Sequence, residues 1–103
     1  MNCSDELSID ERVARAAIAK LFQRELEIVH VQTLDNGLVL ASYLADDRLH
    51  AYHVRFDEDR VIWRIPVVLP SGEPGRWRDH PLDERTTFRI EGSDVIVTVV
   101  EAT

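Results

Sequence analysis

Past Glu27 the chain is cut by turn dipeptides so closely spaced that only one kind of sheet can be built from what lies between them. Asn36-Gly37, Asp46-Asp47, Glu58-Asp59 and Gly92-Ser93 each separate two short runs, rich in Val, Ile, Tyr and Phe, in which apolar residues recur with period two. Such runs read as β-strands, whose side chains point alternately to opposite faces. A parallel pair needs a crossover of a dozen or more residues, and these connections have no room for one, so the sheet is antiparallel. The candidate strands are Glu27–Leu34, Leu38–Leu44, Arg48–Phe56, Arg60–Val67, Thr86–Glu91 and Val95–Val100. Asn36-Gly37 is the strongest hairpin signal among them, because a type I′ turn needs positive φ at both central positions; Gly92-Ser93 suits a type II′ turn.

Before Glu27 the period is helical. Ser8-Ile9-Asp10-Glu11 has the form of a capping box, in which the Ser8 hydroxyl and the Glu11 carboxylate each accept from the other residue's amide. From there Val13, Ala14, Ala17, Ile18 and Leu21 form one stripe, and the helix is expected to run to about Arg24 or Leu26. The stripe is rich in alanine, which lets a helix approach a sheet closely.

These readings give an α+β fold: one N-terminal helix on an antiparallel meander of six strands. At 103 residues the chain suits one domain over 1–103, with a flexible tail over 1–7 and a long Pro/Gly-rich loop over 68–84. The plan resembles, in architecture only, the cystatin-like and related cone-shaped folds, many of which hold ligands between helix and sheet. No family motif accompanies that likeness.

If the first three turns use two residues each, the registers follow by arithmetic. His30 then faces Tyr43, Tyr43 faces His50, Tyr52 faces Ile65 and Val54 faces Trp63. His30, Tyr43 and His50 form a row across three strands, either as the polar end of a pocket or as half-buried residues that satisfy one another. On the opposite face the same registers place Val29, Val31, Leu38, Leu40 and Leu44, joined by Leu49, an oily half that one helix cannot also cover. It is expected either to be wrapped by the long loop or to bind a protein partner or a second copy of the chain, chiefly through Val29, Val31, Leu40 and Leu44, unless a shifted register makes it core.

The totals exclude several classes. A net charge of −7 with acidic and basic residues interleaved leaves no basic face for nucleic acid. No apolar run is long enough for a membrane span, and the acidic, polar start at Met1-Asn2-Cys3-Ser4-Asp5-Glu6 lacks the form of a signal peptide, so a cytoplasmic location is expected. One cysteine, Cys3, fits a reducing compartment. No metal or cofactor is expected: His50 and His53 are three apart in a strand and point to opposite faces. No serine sits on a nucleophile elbow, and Pro74 between Gly72 and Gly75 has no amide to offer a phosphate.

The long loop remains. All four prolines fall between Pro66 and Pro81, together with Arg76, Trp77, Arg78, Asp79 and His80, residue types that anchor interfaces and hold carboxylate ligands. Trp77 is read either as such an anchor or as a plug on one end of the core. Two functions follow. The chain is a small protein-interaction or adaptor module, or it binds a small molecule, as receptor or enzyme, in a pocket between helix and sheet with His30, Tyr43, His50 and His80 as polar groups. An open cavity favours the second; a filled core with apolar surface left outside favours the first.

Overall fold

The computed structural model describes residues 7–101, so Cys3 and the expected tail, apart from Leu7, lie outside the described residues. The capping box forms as read at the start of α1 (Ile9–Leu21): the Ser8 hydroxyl accepts from the Glu11 amide at 3.1 Å and the Glu11 carboxylate from the Ser8 amide at 2.9 Å. Glu11 also accepts from the Thr33 hydroxyl at 2.9 Å, tying the helix start to the sheet, and these donors hold its pKa below the ordinary 4.5. The helix stops at Leu21, the last residue of its apolar stripe, short of the expected Arg24 or Leu26. Gln23 takes a left-handed φ of 55°, and the amides of Gln23 and Arg24 turn back to the carbonyls of Lys20 and Ala19, a Schellman closure built without glycine.

Six strands follow in strict sequential order: β1 (His30–Thr33), β2 (Val39–Ala45), β3 (Arg48–Asp57), β4 (Arg60–Arg64), β5 (Arg85–Glu91) and β6 (Asp94–Val100). Every neighbouring pair is antiparallel, and the sheet curls until α1 touches β1 and β2 on one side and β5 and β6 on the other. The buried core joins Val13, Ala14, Ala17 and Ile18 of α1 to the concave face, where Val39, Ala41, Tyr43, Tyr52, Val54, Val61 and Trp63 project. No helix is long and apolar enough to cross a membrane among the described residues.

Three of the four dipeptide turns behave as read. Asp46 and Asp47 both take positive φ, so Tyr43 aligns with His50; Asp57 aligns with Arg60 across Glu58-Asp59, and Glu91 with Asp94 across Gly92-Ser93. The first does not. The Gly37 amide donates to the Leu34 carbonyl at 3.0 Å and the Leu34 amide to the Leu38 carbonyl at 2.8 Å, so the loop is the three residues Asp35-Asn36-Gly37, with Gly37 left-handed at φ 87°. That is the other common hairpin, a turn followed by a residue in the left-handed region. One extra loop residue turns β1 over. His30 therefore aligns with Ser42 rather than Tyr43, and it is Val29 and Val31 that face the core, Val29 only 2% exposed. β1 also starts late, because Leu26–Ile28 form a 3₁₀ turn instead of strand.

Candidate functional site

The registers divide the molecule into two ends. At one, the helix start meets the end of β1 and the β5–β6 turn, through Glu11 to Thr33 and Arg12 to the Ser93 carbonyl. At the other lie the helix C-terminus, the 3₁₀ turn, the β2–β3 turn and the long connection from β4 to β5. We call this second end the loop end.

At the loop end the concave face is closed by aromatic rings. Phe22, the residue that caps α1, stacks on Tyr52 with centroids 4.5 Å apart and meets Trp63 edge-on at 5.3 Å; Tyr52 and Trp63 stand perpendicular at 5.3 Å. The space between helix and sheet at this row is thus filled by side chains. Desolvation and the neighbouring Tyr43 push the Tyr52 phenol well above its ordinary value of 10. The His30–Tyr43–His50 row does not form. Tyr43 and His50 do stack, 4.9 Å apart, but His30 stands on the opposite face because β1 is turned over. What joins His30 to Tyr43 is an open depression of about 400 Å³ beside β2, lined also by Glu27, Ile28, Leu44 and Leu49.

The loop residues are placed in detail. The Gly75 amide donates to the Ile65 carbonyl and the Arg78 amide to the Trp63 carbonyl, both at 2.8 Å, so the connection comes back along the edge of β4. Side chains of this returning segment alternate. Trp77 turns to the convex face, half-buried, with the guanidinium groups of Arg64 and Arg55 against its ring at 4.2 and 4.9 Å. Arg76 and Arg78 turn the other way, Arg76 gripping Asp83 through two bonds of 2.7 and 2.8 Å while Arg78 lies 3.3 Å from the same carboxylate and 5.1 Å over the Trp63 ring.

Asp83 is 8% exposed and also accepts from the His80 amide at 3.0 Å. Its hydrogen bonds with Arg76, aided by that amide and by Arg78, hold its carboxyl well below the usual carboxylate range. Asp79 pairs with Arg55 at 3.1 Å, and the His80 imidazole accepts from the Leu82 amide at 3.0 Å. All five expected loop residues therefore have partners within the chain. Trp77 is not a plug in the core: half-buried, it lies on the outer face of β3 and β4.

The chain matches no family model, no curated protein and no solved structure. Its surface is the remaining witness. Leu44 and Leu49, aligned across the β2–β3 hairpin, are 69% and 68% exposed, Leu69 is 81% and Leu82 73%. Ile65, Val67 and Val68, just before Leu69 in sequence, and Ile28 of the 3₁₀ turn are exposed as well, all at the loop end. The hairpin projects, since β1 pairs with β2 only as far as Ser42 and β4 with β3 only as far as His53. Sequence reasoning placed Leu44 and Leu49 on an apolar outer face but missed Leu69 and Leu82 as exposed. The available signal was Val67-Val68-Leu69-Pro70, an apolar run where a solvated loop calls for polar residues. Of the apolar face expected for a partner, Val29 and Val31 drop out as core, Leu40 is half-buried and Leu44 is open.

Proposed function

We propose that the chain is a small protein-interaction module that docks its partner on the loop end. The observation that carries this reading is a contrast between inside and outside. Between helix and sheet the space is taken by Phe22, Tyr43, Tyr52 and Trp63, while at the same end apolar side chains stand open to solvent on two separate projections, the β2–β3 hairpin and the β4–β5 loop. Exposed apolar residues grouped on one part of a surface mark contact sites. Gly75–Arg78, Trp77 and Asp83 support the role indirectly, by fixing the loop to β4 so that Leu69 and Leu82 are presented at little entropic cost. The net charge of −7 favours a partner with a basic rim.

Photoreactive residues placed at 44 and 69, with one at Ile90 on the opposite end as control, test the reading in extracts of the source organism. Labelling of the same basic protein from 44 and 69 and not from 90 is expected. The Leu44→Asp, Leu49→Asp double variant should lose that product while keeping its melting temperature, since surface changes of this kind stay within about 0.5 kcal/mol each. Equal labelling from both ends, or capture that survives the double variant, rejects the loop end as the docking surface.

A further inference from the structure

The two edges of the sheet are not alike. β1 is four residues long and mostly polar, with His30, Gln32 and Thr33 around a single valine. β6 is seven residues long, paired to β5 along its whole length without a bulge, and β-branched at every position from Val95 to Val100. It contains no proline and no lysine. Short length, charge, proline and bulges are the devices that keep strand edges from pairing with other chains, and of these β6 carries only the charge of Asp94 at its start.

We propose that β6 is a dimerisation edge, on which a second copy of this chain pairs antiparallel about a two-fold axis at Val97 and joins two six-stranded sheets into one. Two observations select a second copy as the occupant. In the register of full overlap Val97 faces its own counterpart, Val95 faces Val99 and Ile96 faces Thr98, so each of these pairs joins two β-branched side chains, a favourable cross-strand combination. The same register sets Glu101, the residue after the strand, opposite Ser93 of the other copy. There the Arg12 guanidinium donates to the Ser93 carbonyl, and Arg12 and Arg15 line a groove of about 380 Å³ between α1 and β6. Asp94 lies in the same groove, which still keeps a net positive charge within a chain of net −7. Each copy thus brings a carboxylate to the other's arginines, once at each end of the joint. The interface is isologous, as closed dimers require, and it stands apart from the loop-end surface.

Sedimentation equilibrium is the first test: the wild-type chain should show a concentration-dependent monomer–dimer equilibrium. Glu101→Arg and Arg12→Glu should each raise the dissociation constant at least tenfold, and mixing the two variants should restore association, because opposite charges then meet at both junctions. Arg12 also holds Ser93, so a register test that leaves Arg12 intact accompanies it. On a Cys3→Ser background, Val97→Cys should cross-link under mild oxidation, because the two thiols face each other across the axis, whereas Val95→Cys, whose counterpart is Val99, should not. A wild-type chain that is monomeric up to millimolar concentration overturns the proposal. So does a dimer indifferent to Glu101→Arg, or equal cross-linking at positions 95 and 97.

Discussion

Trp77 shows how much a side chain's cost of removal depends on which surface it covers. It lies against Arg64 and Arg55 on the convex face, outside the core cluster. Cation–π contacts at partly exposed sites contribute roughly 0.5–1 kcal/mol each, so Trp77→Ala should cost about 1–2 kcal/mol in chemical denaturation. A core tryptophan would cost about 3–5 kcal/mol, and a loss of that size would place the ring in the core instead. Asp83 sets a different signature. Its carboxyl is held below its ordinary 3.8 in the folded chain, so its contribution is fully present above that pH and fades as the pH falls below it toward the lowered value. The melting temperature should therefore decline on acidification from about pH 4 downward, and Asp83→Asn, with a lower plateau, should show a shallower decline. Equal acid limbs in the two proteins would show that Arg76 does not grip this carboxylate in solution.

Among the elements, those specified by local chemistry were legible and those specified by distant partners were not. The capping box, the alanine stripe and the turns at Asp46-Asp47, Glu58-Asp59 and Gly92-Ser93 are short-range devices, and the helix start and three hairpin registers follow from them. Asn36-Gly37 fits a two-residue and a three-residue loop equally well, because both need a residue with positive φ before the returning strand. The choice is made by Val29 and Val31, which reach the core only in the longer loop. Deleting Asp35 should therefore force the two-residue loop, turn β1 over and expose both valines, at a cost of several kcal/mol measured by urea unfolding. A deletion variant as stable as the parent would show that β1 can pair in either register. The long loop was recognised from its prolines and from Trp77 between two arginines, but not its return along β4. That path rests on the Ile65 and Trp63 carbonyls, which leave no periodicity in sequence. The same limit hid the site: exposure of Leu69 and Leu82 depends on what the loop fails to cover.

At the scale of the whole molecule, strict sequential order means that each strand meets its neighbour as soon as both exist, with one exception. α1, first in the chain, leans on β6, last in the chain, and Arg12 reaches across to Ser93. On a ribosome adding roughly 5–20 residues per second, the helix is finished several seconds before that strand appears. Until β5 and β6 are made, only β1 and β2 among the strands are there for the helix to rest on, and the other flank of its alanine-rich face has no cover. Covering that flank is an act of closure rather than of growth, and it falls to the seven residues of β6.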